Sequence, residues 1–139
     1  MNTNRDGGDE RRQVGFRGED LAAAYYEEEG WEVVDRNVEF RAGELDLVVK
    51  RFENERGRMI PRFAFVEVKT RRSHTDMPAG ANLTGKKCRK LALLARLYRQ
   101  SNNLEKVYAQ IDVIEVDLSG DEPELQCFAA AIDARGRKK

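Results

Sequence analysis

The sequence is poor in the residues that usually build zinc and redox sites. It has two cysteines and one histidine among 139 residues, and Cys88 and Cys127 are too far apart for a zinc or dithiol motif. We expect both cysteines to be small buried residues in a reducing cytoplasm. The single histidine, His74, is expected at the surface, with DNA contact as an alternative. A zinc or thiol site with a recognisable spacing is therefore excluded.

Long apolar runs are also missing. No run approaches the roughly 20 residues that span a bilayer, and residues 1–12 are polar, without the apolar core of a secretory signal. Hydrophobic residues make up 40% of the chain, which is enough for one core. We expect a cytoplasmic protein with a disordered segment at 1–12, a single domain at 13–133 and a mobile basic tail at 134–139.

Charged residues, in contrast, are abundant and unevenly placed. They form 36% of the chain, and 25 bases balance 25 acids. From position 69 to 99 only Asp76 is acidic, so the local charge is nine minus one, or +8. The nine bases there are Lys69, Arg71, Arg72, Lys86, Lys87, Arg89, Lys90, Arg96 and Arg99. A chain polarised in this way suits an anionic partner on one side.

The first periodic stretch predicts a helix over residues 11–29. Its apolar residues recur at helical spacing, and Gly30 provides a terminating residue. Glu19 lies on the same side as Ala22 and Tyr26. We therefore expect Glu19 to be an acid at the edge of the buried stripe.

The remaining pattern predicts an α/β fold. The expected strands are 31–40, 43–49, 63–71, 107–116 and 125–132, the second helix starts at Leu83 or Thr84 and runs to 100, and 52–61 and 73–81 are loops. Short links make the first three strands an antiparallel meander, and the second helix carries the chain to a parallel fourth strand. The result is a mixed five-stranded sheet with helices on its faces.

Two of these strands carry polar residues at places where side chains share a face. Asp46 lies in the strand Gly43–Val49, and Glu67 and Lys69 lie in Phe63–Arg71. If the strands pair as a hairpin, the three side chains converge. Two carboxylates and an ammonium among apolar residues are costly to bury without a partner, and a bound divalent metal would remove that cost.

Such an arrangement fits phosphodiester hydrolysis. A divalent ion held by carboxylates can activate water and neutralise the transition state, and oxygen ligands favour Mg²⁺ or Mn²⁺. Asp46 and Glu67 would be the main ligands, with the carbonyl of Val68 as another. Lys69 would hold the scissile phosphate or the attacking water, and Glu19 a metal-bound water or a second ion.

Structural roles are open for the same residues. Glu67 and Lys69 could form an ion pair at a sheet end, and Glu19 could be a solvated helix acid. Glu44, beside a turn, could serve the site or be an exposed structural residue. The basic helix face could be merely solvated. If it contacts nucleic acid, we expect the contacts from Arg71, Lys86, Lys87, Arg89 and Lys90.

The sequence resembles a known family at several motifs. They are Gly15-Phe16-Arg17-Gly18-Glu19, Arg36-Asn37, Gly43-Glu44-Leu45-Asp46-Leu47-Val48, Phe65-Val66-Glu67-Val68-Lys69-Thr70-Arg71, Leu83-x-x-x-Lys87-x-x-Lys90-Leu91 and Asp112-Val113. Over about residues 15–131 the chain resembles the YraN-like bacterial proteins. These in turn are similar to the restriction-endonuclease-like superfamily, PD-(D/E)XK, and especially to archaeal Holliday junction resolvases.

The resemblance implies a three-layer α/β/α fold and the functional set Glu19, Asp46, Glu67 and Lys69. It also implies a divalent metal, a branched or structured DNA substrate with single-stranded regions, and a homodimer. The chain departs from the pattern at Leu45, where proline is common, in a longer loop at 52–61, and at Pro78, which precedes Gly80. A non-catalytic nucleic-acid-binding protein and a homodimeric accessory domain are the alternatives.

Overall fold

The computed structural model describes residues 7–72 and 83–139, with side chains from Arg17 onward in these ranges. The elements are α1 (Gly7–Glu28), β1 (Glu32–Phe40), β2 (Gly43–Glu55), β3 (Arg58–Arg71), α2 (Gly85–Ser101), β4 (Tyr108–Asp117) and β5 (Glu124–Ile132). The predicted loop at 73–81, including His74, and residues 1–6 lie outside the described residues. Residues 7–12, predicted to be disordered, belong to α1.

The five strands form one sheet in the order β1-β2-β3-β4-β5. β3 and β4 are parallel, and the other neighbouring pairs are antiparallel. The parallel pair follows from α2, because a crossover helix returns the chain to the same end of the sheet before the next strand begins. The predicted mixed sheet, with its meander, helix crossover and parallel fourth strand, is confirmed.

The sheet buries a different set of residues on each face. Ala22, Ala23 and Tyr26 of α1 pack on one face, against a cluster that includes Leu47 and Val66. The apolar side of α2 packs on the other face with Leu45, Val48, Phe63, Phe65, Ile111 and Val113. Because neighbouring strand residues point to opposite faces, apolar runs in β2 and β3 supply both cores. The predicted α/β/α layering is therefore present.

The helix ends have defined caps. Thr84 Oγ1 accepts a hydrogen bond from the backbone N–H of Lys87 at 3.2 Å, so α2 begins where a capping threonine is available. At the end of α1, Gly30 adopts a φ of 90° and Trp31 N donates to Tyr26 O at 2.9 Å. Neither described helix is long and apolar enough to cross a membrane.

The prediction of a loop at residues 52–61 is wrong. β2 and β3 stay paired as far as Glu55 and Arg58, and the connection is a tight turn at Arg56-Gly57 with φ values of 53° and 82°. Two positive φ angles match the twist of a hairpin. Pro61 is tolerated because it precedes Arg62, where the β3–β4 ladder starts, and so lies on a strand with one neighbour.

The basic segment 134–139, expected to be mobile, folds back on the sheet. Lys138 forms a bridge with Ile132, and Lys139 N donates to Ala131 O at 3.0 Å. Gly136 N donates to Asp133 O at 3.0 Å, which closes the turn between β5 and this segment. The charges of the segment therefore have a defined place on the surface.

Candidate functional site

The central strands part at one point in the sheet. The β2–β3 ladder ends at the pair Leu47–Val66, although both strands continue, β2 beside β1 and β3 beside β4. Continuing the register by one residue places Asp46 opposite Glu67. The two predicted ligands are therefore the first residues beyond the fork, where β2 and β3 are no longer paired with each other.

Asp46 replaces part of the missing ladder. Its Oδ2 accepts a hydrogen bond from the backbone N–H of Val68 at 2.7 Å. The bond satisfies a donor that the diverging strand no longer reaches, and it fixes the carboxylate in the fork. Val68 thus contacts Asp46 through its nitrogen, and the ligand role of its carbonyl stays a prediction.

Three carboxylates meet beside the fork. One ligand oxygen from each of Glu19, Glu44 and Asp46 lies within 4.8 Å of the other two. Glu19 comes from α1, and the other two come from β2. Oxygens on opposite sides of a shared hard cation are about 4–5 Å apart, twice the metal–oxygen distance. The three acids therefore already have a spacing that one small divalent ion could bridge.

A fourth element holds two of these acids. Asn37 lies in β1 between the residues that pair with Leu45 and Leu47, and its φ is 51°. With the amide turned so that its nitrogen faces the acids, it donates to Glu19 Oε1 at 2.7 Å and to Glu44 Oε1 at 3.1 Å. Because the amide takes one oxygen of each carboxylate, the second oxygens are left for another partner.

Glu67 lies on the α2 side of the fork with a group of lysines. Lys69 Nζ is 3.4 Å from Glu67 Oε1, and the two side chains are 30% and 19% exposed. Lys87 and Lys90 line the same cavity of about 200 Å³. Lys90 passes directly over Gly43, where a Cβ would lie 2.5 Å from Lys90 Cε. Glu44 and Glu67 thus line a groove whose α2 wall is basic.

Burial and repulsion between carboxylates raise the pKa values of acids at the fork. Burial and the adjacent Glu67 carboxylate raise the pKa of Asp46 to about 8, against the hydrogen bond from Val68, which lowers it. Burial also raises the pKa of Glu67, although Lys69 opposes the rise. Burial and the charge of Glu44 raise the pKa of Glu19. Each of the three acids is costly to ionise without a cation.

The chemistry of this donor set fits a hard divalent ion. All the side-chain donors are carboxylate oxygens, which suit Mg²⁺ or Mn²⁺ and do not favour zinc. Glu19, Glu44 and Asp46 could hold one ion, with Glu67 beside Asp46 as a further ligand. A bound cation would lower all three raised pKa values, because it favours the ionised forms of the carboxyl groups.

The predicted nucleic-acid contacts divide into two groups. The exposed bases Lys86, Lys87, Arg89 and Lys90 lie within two turns of α2 beside the groove. Arg71 is directed elsewhere, since its Nη1 lies 4.0 Å from Asp117 Oδ2 on β4. Lys87 and Lys90 reach the cavity with Glu67, whereas Lys86 and Arg89 do not line it.

The predicted functional set contains neither Asn37 nor Glu44. Glu44 could have been included, since it alternates with Asp46 along the same strand. The role of Asn37 depends on a left-handed backbone position in β1, opposite Asp46. Asparagine tolerates that conformation better than most residues, and its presence in an otherwise extended stretch was the available signal.

Comparison with known proteins identifies relatives over most of the chain. Residues 18–116 match the model of the uncharacterised protein family UPF0102. A UPF0102 protein of Syntrophotalea carbinolica is 35% identical over 127 residues, which cover 91% of this chain and 97% of the relative. Its counterpart in Symbiobacterium thermophilum is 38% identical over 116 residues, covering 84% and 91%. That of Geobacter sulfurreducens is 33% identical over 129 residues, covering 92% and 94%. As the resemblance to the YraN-like proteins predicted, the chain belongs to family UPF0102.

Proposed function

We propose that this protein is a metal-dependent endonuclease that hydrolyses phosphodiester bonds in DNA, with branched or otherwise structured DNA as its substrate. The observation that carries the proposal is the cluster of Glu19, Glu44 and Asp46 at the fork of the central strands, with Glu67 near Asp46 and Lys69 beside Glu67. The acids come from three different elements, and this placement has no structural need in an apolar sheet.

The acids supply what metal-assisted hydrolysis requires. A divalent ion, when bound, activates a water and neutralises charge on the phosphoryl group. Asp46 is the residue best placed to bind it, because the Val68 N–H fixes one oxygen and leaves the other free. Glu19 and Glu44 are held by Asn37 in the same way, so the oxygens are positioned before the ion arrives.

Lys69 is the candidate for direct contact with the scissile phosphate. Its ammonium lies at the groove, 3.4 Å from Glu67 Oε1, and carries three donors. One of these can satisfy Glu67 while the others face a phosphate oxygen or the attacking water. An ammonium at this place would stabilise charge that develops during hydrolysis, which is the usual contribution of such a residue.

The basic wall of the groove favours a nucleic acid over a small phosphate ester. Lys87 and Lys90 line the cavity, and Lys86 and Arg89 continue the positive charge along α2. A single phosphate ester needs one or two cations, whereas a polymer backbone is held by several in a row. The order of elements also resembles the restriction-endonuclease-like proteins, which supports the proposal by analogy.

The test is cleavage of labelled DNA with and without divalent metal. Purified protein is incubated in Mg²⁺ or Mn²⁺ with a four-way junction, its component duplex and its single strands. We expect cutting that needs the metal and is abolished in Asp46→Asn and Glu67→Gln, while junction binding in Ca²⁺ is retained. Asp121→Asn removes an exposed acid of the β4–β5 connection, outside the acid cluster, and should cut like the wild type.

The outcomes separate the proposal from its alternatives. Metal-independent cutting, or cutting that survives both substitutions, would refute the assignment of the acids. Salt-dependent DNA binding with no cutting of any of the substrates would favour a non-catalytic binding protein. A protein that neither cuts nor binds would leave the acids with a structural role, as in a homodimeric accessory domain.

A further inference from the structure

The segment after β5 is built into a compact turn around Asp133. Asp133 Oδ1 accepts hydrogen bonds from the backbone N–H groups of Arg135 and Arg137, each at 2.9 Å. Asp133 N also donates to Arg137 O at 2.8 Å. Beyond the turn, Lys138 bridges to Ile132. These bonds fix the backbone that carries the four bases of residues 134–139.

Gly136 allows this turn to pack closely on α2. It is buried, its φ is 80°, and a Cβ at this position would lie 2.5 Å from Arg89 Cα and 2.9 Å from Arg89 N. Both contacts are to backbone atoms, which have no freedom to move aside. A glycine is therefore required here, and it places the backbone of the turn that carries Arg135 and Lys138 against α2 at Arg89.

The bases of α2 connect this turn to the fork. Steps of about 100° per residue place Lys87, Lys90, Lys86 and Arg89, in that order, about 40–60° apart around the helix. Lys87 and Lys90 are at the end of this arc that lines the cavity with Glu67, and Arg89 is at the end that contacts Gly136. The first two turns of α2 contain no acid.

The surface formed by the start of α2 and residues 134–139 has a high density of positive charge. Its α2 part carries four bases, and residues 134–139 add four more, of which Arg137 is paired with Asp133. Like charges held together in this way repel one another and disfavour the folded state. A contact that only glycine permits nevertheless keeps the two groups adjacent, which suits an extended polyanion lying across both.

We propose that Arg135, Lys138 and Lys139, together with Lys86 and Arg89, form a second phosphate-binding surface that holds the DNA backbone to one side of the cleavage site. The inference rests on the proposed function for the identity of the polyanion. The backbone runs from the acids at the fork, across the first two turns of α2, to the turn at Gly136. The segment 134–139 contacts about two or three phosphates in this arrangement.

The test compares variants in the binding of a fluorescein-labelled four-way junction in Ca²⁺, by anisotropy at several salt concentrations. A triple variant, Arg135→Ala/Lys138→Ala/Lys139→Ala, should bind about tenfold more weakly near physiological salt. Its log–log salt slope should be smaller by about 0.9 for each phosphate that the variant no longer neutralises. The matched control is Arg56→Ala/Arg58→Ala/Lys106→Ala, which removes three exposed charges at the β2–β3 turn and just before β4.

A second variant separates position from charge. Gly136→Val keeps every charge but displaces the turn from α2, and it should weaken binding at least threefold with its fold verified by circular dichroism. The inference would be overturned if the triple variant of residues 135, 138 and 139, the tail triple variant, bound as tightly as the wild type. It would also be overturned if that variant and the control triple variant lost the same amount of affinity. Wild-type affinity in Gly136→Val would likewise contradict a fixed surface.

The proposed function and the inference fail in different ways. If the wild type shows no salt-dependent binding, both are wrong. If the wild type binds and cuts but the tail triple variant is unchanged, only the inference is wrong. If the tail triple variant binds weakly while Asp46→Asn binds normally, the second surface is supported whether or not the fork cleaves.

Discussion

The carboxylate of Asp46 accepts a hydrogen bond from the backbone N–H of Val68 at 2.7 Å, just where β2 and β3 part. The contact links the divergence of the sheet to the candidate site, because the fork frees a backbone donor and the acid takes it. It also explains why an acid with a pKa raised to about 8 is held in place.

Asp46→Asn should stabilise the metal-free protein. The amide oxygen can still accept from Val68 N, while the repulsion from neighbouring carboxylates disappears. We expect the free energy of unfolding to rise by about 1–2 kcal/mol, well below the full value of the pKa shift because the side chain is partly exposed. Urea unfolding in EDTA at pH 8 measures this, with Asp121→Asn as a control that should change little. A decrease in stability would indicate that the carboxylate is a structural residue.

The stability of the metal-free protein should fall as the pH rises. The raised pKa values of Asp46, Glu67 and Glu19 mean that the folded state retains protons that the unfolded state has released. The stabilisation is therefore complete below about pH 4, the unfolded pKa, and is lost on the way to about pH 8, the folded pKa of Asp46.

Urea unfolding in EDTA between pH 5 and pH 8 tests this direction, and Asp46→Asn should show a smaller slope than the wild type. Manganese affinity should change in the opposite sense and increase over the same interval, since binding must displace protons. A metal-free protein that becomes steadily more stable from pH 5 to pH 8 would contradict the assigned pKa shifts.

The buried acid Asp112 should matter for stability and not for the site. It is 1% exposed and accepts from Tyr26 OH at 2.7 Å, Gln110 Nε2 at 2.9 Å and Ala130 N at 2.8 Å. Tyr26→Phe removes one donor to this carboxylate and should cost about 1.5–3 kcal/mol. Thermal unfolding measures the change, and manganese binding should be unaltered at a temperature where the variant is folded. Reduced metal affinity in the folded variant would connect this network to the fork.

The hairpin turn offers a test of the corrected loop assignment. Arg56 and Gly57 both have positive φ, and nothing lies within 4 Å of a Cβ built on Gly57. Gly57→Ala should therefore cost only backbone strain, about 1 kcal/mol. Arg56→Asn should stabilise by about 0.5 kcal/mol, because asparagine suits the first position of this turn. Urea unfolding of both variants measures these changes, and unchanged stability in both would favour a flexible loop at 52–61.

Element types and order were predictable because the apolar periodicity is strong in this chain. Alternation in β2 and β3 was also sufficient to place Asp46 and Glu67 on neighbouring strands. The extension of β2 and β3 through residues 52–61 was missed because Gly57 and Pro61 are typical of loops. Their tolerance in a strand pair depends on the twist of the turn and on where the β3–β4 ladder starts.

The details of the fork could not be predicted from the sequence, and the physical cause is related. The end of the β2–β3 ladder, the Asp46–Val68 bond and the left-handed Asn37 are results of tertiary packing. No local propensity specifies them. The same holds for the contact of Gly136 with Arg89, which joins residues far apart in the chain.

The most direct test of the central claim is the anomalous diffraction of crystals soaked in Mn²⁺. We predict a strong peak about 2.0–2.3 Å from carboxylate oxygens of Asp46 and at least one of Glu19, Glu44 and Glu67, and no peak there in Asp46→Asn crystals. Full manganese occupancy at other sites with no peak at the fork would contradict the account.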